Sequence, residues 1–138
     1  MKMVFADTCY WVAIVNPKDQ LWRAAHQARA AIGDIILLTT DEVLSEFLTA
    51  LSRYGEDFRR SAVKAVNKIL SDPNVKVTQQ SRDSFLQGIK LYENRPDKSY
   101  SLTDCISMNA MRSQNVMEAL TNDHHFEQEG FKVLIASH

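Results

Sequence analysis

Four bulky apolar residues follow one another at Ile35-Ile36-Leu37-Leu38 without a polar interruption. A strand with one face in water alternates apolar and polar side chains, so an unbroken run describes a strand covered on both faces. Parallel sheets between helical layers produce that situation. Shorter runs repeat the theme: Val4-Phe5-Ala6, Val75-Lys76-Val77, Met117-Glu118-Ala119-Leu120 and Lys132-Val133-Leu134-Ile135 read as further strands.

Between these runs the chain carries helical signals. Thr8 can cap an apolar segment through Val15 that stops at Asn16-Pro17, and Asp19 can cap a helix through Ala31 with Gly33 at its far end. Thr39-Thr40-Asp41-Glu42 has the capping-box pattern for a helix whose apolar stripe is Val43, Phe47, Leu51 and Tyr54, ending at Gly55. Helices are also predicted from Asp57 to Leu70, from Ser81 to Tyr92, and from Ser101-Leu102-Thr103-Asp104 to Ser113, where Asp104 replaces the usual Glu of the box. One short helical turn separates the last two strands. Strands alternating with helices, without hairpin signals, predict an α/β fold: a single-domain α/β/α sandwich over 1–138 with a mostly parallel central sheet. In such folds ligands gather at the carboxyl ends of the strands.

At 138 residues and 45% hydrophobic composition the chain can bury a core without disulfide staples. Cys9 and Cys105 form no C-x-x-C pair and read as small buried apolar residues of a protein in a reducing compartment. The segment before Asp7 is too short for a signal-peptide core, and no window approaches the roughly 18 apolar residues of a membrane span, so a cytoplasmic protein is expected. A net charge of −1 argues against binding nucleic acid by a general electrostatic blanket and restricts any such contact to a local surface.

Four acids fall where the predicted fold can bring them together. Asp7 closes the first strand, Glu46 lies on the helix after Thr40, Asp104 opens another helix, and Asp123 follows Ala119-Leu120-Thr121. Two like charges ~4 Å apart repel by about 4 kcal/mol at an effective dielectric near 20, so converging carboxylates require a divalent cation, bound protons or basic partners. Hard oxygen ligands favour magnesium or manganese, and such a site can activate water against a phosphodiester. Each acid also has an ordinary role. Asp7 and Asp123 suit helix caps or turns, Glu46 lies near the margin of its helix and suits a solvated carboxylate, and Asp104 suits the positive end of the helix dipole. Asp104 also projects between Met108 and Met111, where an unpaired carboxylate is expensive.

Other features are weaker. His124-His125 lacks the spacing and partners of a zinc site and reads as polar surface. Arg60, Lys64 and Lys68 at i, i+4 spacing can meet phosphates but describe a solvated face equally well. Tyr10, Trp11 and Trp22 suit core or interface anchors better than base-stacking platforms.

In order along the chain, Val4-Phe5-Ala6-Asp7-Thr8, Val43-Leu44-Ser45-Glu46, Ser101-Leu102-Thr103-Asp104-Cys105-Ile106 and Thr121-Asn122-Asp123-His124-His125-Phe126 resemble the motifs of PIN-domain nucleases. Within them the chain is similar to the VapC-type toxins of bacterial toxin–antitoxin systems, over nearly its whole length. The resemblance implies a parallel sheet with helices on both faces and an acidic pocket for Mg2+ or Mn2+ made by Asp7, Glu46, Asp104 and Asp123. It also implies that Thr8 and Thr121 are supporting polar groups, and that the reaction is endonucleolytic cleavage of single-stranded or structured RNA. A homodimer and a cognate antitoxin are further implications. PIN domains also serve in RNA processing outside toxin–antitoxin pairs, and that role stays open at this point.

Two other classes compete. A phosphoacceptor receiver domain has the same architecture but needs an acidic pair near the first strand and a lysine late in the sheet, whereas Asp7 is followed by Thr8-Cys9. A non-cutting RNA-binding module would be expected to lack one or more of the four acids, and this chain keeps all of them.

Overall fold

The computed structural model describes residues 1–136; the last two residues of the domain expected over 1–138 lie outside them. The elements run β1 (Met3–Ala6), α1 (Thr8–Val15), α2 (Trp22–Ala31), β2 (Ile36–Thr40), α3 (Asp41–Ser52) and α4 (Glu56–Ser71). They continue with β3 (Val75–Thr78), α5 (Arg82–Asn94), α6 (Leu102–Ser113), β4 (Glu118–Leu120), α7 (His124–Gln128) and β5 (Lys132–Val133). All strands pair in parallel, in the order β3-β2-β1-β4-β5, with Val4 opposite Leu37, Phe5 opposite Ala119 and Leu37 opposite Val75. Helices flank the sheet, giving the α/β/α sandwich that the apolar runs predict.

The unbroken run at Ile35–Leu38 has the predicted consequence, since Leu37 and Leu38 are both buried although their side chains point to opposite faces. Phe5, Leu38, Phe47, Leu51, Met108, Met111, Leu120 and Phe126 are fully enclosed in the core on either side of the sheet.

Several boundaries differ from the sequence reading, each for a local reason. β2 runs on through Thr39 and Thr40 because both hydroxyls find partners. Thr39 Oγ1 donates to the Ala6 carbonyl at 2.9 Å and accepts from Trp11 Nε1 at 3.3 Å, and Thr40 Oγ1 accepts from the Val43 amide at 3.1 Å. The cap of α3 is therefore Thr40 rather than Thr39, and the box with Glu42 does not form. Asp19 caps no helix; its Oδ2 accepts the Leu21 amide at 2.9 Å in a local turn, and α2 starts only at Trp22. The final ladder covers Lys132–Val133 alone, although Leu134 and Ile135 still donate backbone hydrogen bonds to Ala119 and Thr121. The box at the start of α6 forms as expected, with Ser101 Oγ accepting the Asp104 amide at 3.0 Å and Asp104 Oδ2 accepting the Ser101 amide at 3.1 Å.

Candidate active site

From β1 the chain crosses to β2 and β3 on one side of the sheet, and later returns to place β4 and β5 on the other. The carboxyl ends of β1 and β4 are thus neighbours at the topological switch point, where open α/β sheets leave a crevice. Asp7 follows β1 and Thr121 follows β4, and the two side chains meet: Thr121 Oγ1 donates to Asp7 Oδ2 at 2.8 Å. Both residues are enclosed, Asp7 at 7% exposure and Thr121 at 0%. The same threonine oxygen accepts the Asp123 amide at 3.1 Å, so one hydroxyl fixes the residues that continue both strands. Asp7 occupies the N-cap position of α1, yet its side chain makes no capping hydrogen bond. Its carboxylate is turned into the crevice instead.

Glu46 comes from the exposed side of α3 and is oriented by Thr8 Oγ1, which donates to its Oε1 at 2.6 Å. Asp104 serves its helix cap and faces the crevice at once. Asp123 does likewise, its Oδ1 accepting the His125 amide at 2.9 Å at the start of α7. The four acids that the sequence singled out line one open cleft of about 540 Å³, shared with Thr8, Cys9 and Asn122.

Crowding and burial show in the acidities. Burial pushes the Asp7 carboxyl from 3.8 up to about 7, with the Asp104 and Glu46 charges adding to the rise and hydrogen bonds from Thr121 and the Thr8 backbone opposing it. Burial also raises Asp104, aided by the Asp123 charge and opposed by the hydrogen bond from the Ser101 backbone. A pocket in which Asp7 and Asp104 resist ionisation has the donor chemistry of a hard divalent-cation site, because a bound cation offsets both the burial penalty and the repulsion that favour the protonated forms.

Three residues in or beside the cleft escaped the sequence reading. His125, expected at the polar surface, turns its Nδ1 inward, 3.2 Å from Asp123 Oδ1 and 3.6 Å from Asp104 Oδ2, buried and without a hydrogen bond. Potential ligand atoms of Asp104, Asp123 and His125 lie within 4.8 Å of one another, a span one ion can bridge. The signal was present in Asp123, because a residue two positions after a helix cap is drawn back toward the capping carboxylate. Cys9 is half-buried at the cleft wall rather than enclosed, with Sγ 3.4 Å from Thr121 Oγ1. Burial and the Asp7 charge push its thiol up to about 11, so it stays protonated and is no thiolate nucleophile. Cys105 is enclosed as expected. Asn122, which carries no charge to mark it in the sequence, lines the cleft beside Asp123.

Tyr10 and Trp11 are core residues, while Trp22 is partly exposed against the His26 ring at 4.6 Å. The basic stripe on α4 stays apart: Arg60 pairs with Glu56 at 3.5 Å and Asp57 at 3.1 Å, and none of Arg60, Lys64 and Lys68 lines the acid cleft.

Residues 4–132 match the PIN-domain family. The 23S rRNA-specific endonuclease VapC20 of Mycobacterium tuberculosis, from strain CDC 1551 / Oshkosh and from strain ATCC 25618 / H37Rv, is 30% identical over 129 residues. The match covers 94% of this chain and 95% of the relative. The crystal structure of M. tuberculosis VapC20, described as a sarcin–ricin loop cleaving toxin, superposes with a TM-score of 0.85 at 26% identity, over 96% of this chain and 99% of that one. Family match, relatives and fold agree with the ordered motifs and the switch-point crevice: the chain belongs to the PIN-domain family, among its VapC-type nucleases.

Proposed function

We propose that this protein is a metal-dependent endoribonuclease that acts in the cytoplasm as the toxin of a toxin–antitoxin pair, with residues 1–138 working as one nuclease domain. Asp7, Glu46, Asp104 and Asp123 hold Mg2+ or Mn2+, and His125 stands at the same edge. The observation that carries this reading is the convergence of four acids from separate elements in one cleft, where Asp7 is pushed up to about 7 chiefly by burial. A second support is the VapC20 relative, whose substrate is 23S rRNA by its name and the sarcin–ricin loop by its structure's description. Ribosomal RNA is accordingly the substrate class we assign.

A divalent ion bound there supplies Lewis-acid polarisation of a phosphoryl oxygen and water of lowered pKa. The protein's own part is orientation. Thr121 fixes one oxygen of Asp7, Thr8 one of Glu46, the Ser101 amide one of Asp104 and the His125 amide one of Asp123. Fixing one oxygen of a carboxylate sets the direction of the other, so the donors are arranged before any ligand arrives. Thr8 and Thr121 are the positioning residues of this arrangement.

The partners we assign are RNA, a cognate antitoxin and a second copy of the chain. Support for the homodimer is the exposed apolar face of α5, formed by Phe85, Leu86, Ile89 and Tyr92. No helix among the described residues is long and apolar enough to cross a membrane.

The test is cleavage of a mixed RNA pool and of a sarcin–ricin hairpin with manganese, magnesium or chelator. Wild type is expected to cut only with metal, and an Asp7→Asn, Asp104→Asn double variant is expected not to cut. Cleavage that survives chelator, or that the double variant retains, overturns the reading.

A further inference from the structure

The acid cleft is the middle of a longer groove. On one side it shares Thr8 and Glu46 with a cleft that includes Arg53, which in turn shares Glu42 and Gln80 with one containing Arg82 and Phe85. On the other side it shares Asp19, Leu21 and Asn122 with a cleft of about 620 Å³ between the 16–21 loop and the turn joining α3 to α4.

The wall of that last cleft is aromatic. Tyr54 sits in the turn, its amide donating to the Leu51 carbonyl at 3.2 Å, and its side chain leaves the residue 53% exposed. Phe58, one helical turn later and half-buried, backs it with ring centroids 5.4 Å apart. The facing loop is held in shape by Asn16 Oδ1 accepting the Lys18 amide at 3.0 Å and by the Asp19 to Leu21 turn. A tyrosine ring backed by a second ring yet half exposed is a poor core residue and a good platform. Nearby carboxylates at Asp19 and Asp123 repel a phosphate from this end of the groove, whereas a neutral base is indifferent to them and gains from the ring.

We propose that Tyr54, supported by Phe58, is the stacking subsite for one unpaired base of the RNA, beside the scissile position at the acids. The subsite rests on the nuclease reading above and names residues that position the substrate for it. It also accounts for local recognition by a chain of net charge −1, since stacking needs no basic blanket.

The test compares wild type, Tyr54→Phe and Tyr54→Ala in two independent measurements. Metal-free binding, by anisotropy, uses a sarcin–ricin hairpin and a random 12-nucleotide single strand, each carrying 2-aminopurine at successive positions in separate preparations. Cleavage kinetics use the hairpin with manganese. Tyr54→Ala is expected to raise Kd and KM about tenfold, the scale of one lost stacking contact, with kcat within twofold of wild type. Tyr54→Phe is expected to match wild type, and one 2-aminopurine position is expected to be quenched by wild type and Tyr54→Phe but not by Tyr54→Ala. Unchanged manganese affinity and thermal midpoint exclude damage to the acids or the fold. Equal binding by Tyr54→Ala overturns the subsite, as does loss in Tyr54→Phe, which would assign the effect to the hydroxyl. Binding without cleavage by wild type sinks the nuclease reading while the Tyr54 contrast still decides the subsite. Neither binding nor cleavage of either RNA by wild type overturns both, and cleavage without metal-free binding leaves the KM contrast between wild type and Tyr54→Ala to decide the subsite.

Discussion

Replacing Asp7 by Asn is expected to abolish cleavage and, without metal, to make the protein more stable. The folded state raises this carboxyl from 3.8 to about 7, chiefly by burial. Below pH 3.8 both states hold the proton and Asp7 exerts no pH-dependent effect. Between 3.8 and about 7 the unfolded chain releases its proton first, so wild type loses stability as pH rises, and above about 7 the loss is complete. A shift from 3.8 to about 7, at about 1.4 kcal/mol per unit, gives roughly 4 kcal/mol at pH 8 and roughly 2 kcal/mol at pH 5. Asn carries no charge to bury and keeps an amide oxygen that can accept from Thr121 Oγ1, so most of that difference should appear as a gain. For a domain of this size it corresponds to a rise in Tm on the order of 10 °C at pH 8. The assay is thermal unfolding of both proteins in chelator at pH 5 and pH 8, repeated with manganese. A ligand that binds only the folded state stabilises it, so manganese should raise wild type more than Asp7→Asn and narrow or reverse the gap. A variant no more stable than wild type at pH 8 in chelator, or a gap that is the same at both pH values, would refute the claim that Asp7 is held in the fold at an electrostatic cost.

Two further predictions concern the scaffold. The Glu129 side chain is 4% exposed and accepts from Arg95 Nε at 2.8 Å and Nη2 at 3.2 Å, from Arg112 Nη2 at 2.7 Å and from Tyr100 Oη at 2.8 Å. Burial works to raise this carboxyl, and the hydrogen bonds overcome it and hold it down at about 2. Both arginines are more than a third exposed, so solvent recovers part of the loss, and Glu129→Gln is expected to destabilise by about 1–3 kcal/mol at pH 7. Because the folded value is depressed, this contribution is complete above the ordinary 4.5 and is lost as pH falls toward 2; denaturant unfolding at pH 7 and pH 3 should show the gap shrink, and a constant gap counts against the network. At Gly88 a Cβ would lie 2.6 Å from Ile106 Cγ1 and 3.2 Å from Leu102 Cδ1, where α5 crosses α6. Gly88→Ala should therefore cost about 1–3 kcal/mol by overpacking, against the roughly 1 kcal/mol gained in helix propensity. In an Ile106→Ala background the same substitution should cost nothing or stabilise, and an unchanged penalty in that double-mutant cycle refutes the steric account.

The strands were legible because a fully covered strand leaves an unbroken apolar signature, and Ile35–Leu38 supplied it. Boundaries were less legible, because tertiary partners decided them. Thr39 looked like a cap residue, and it joined the strand because Ala6 and Trp11 satisfy its hydroxyl from outside the local sequence. Asp19 looked like a cap as well, and a two-residue turn took its carboxylate instead.

The acids illustrate why ordinary and functional roles are poor alternatives. Asp104 and Asp123 each make the capping hydrogen bond that their local sequence predicts, yet both face the cleft, because a cap needs only one carboxylate oxygen. The sequence could not separate the two roles since the fold uses both. Asp7 could be separated only in three dimensions: it occupies the cap position, but Thr121, 114 residues away, claims the side chain. No sequence window contains that contact. It exists because β1 and β4 are neighbours at the switch of a parallel sheet, and the same adjacency draws Asp123 toward Asp104 and brings His125 with it. The placement of the site is thus a property of topology, and the acids become informative together because only that topology makes their mutual repulsion unavoidable.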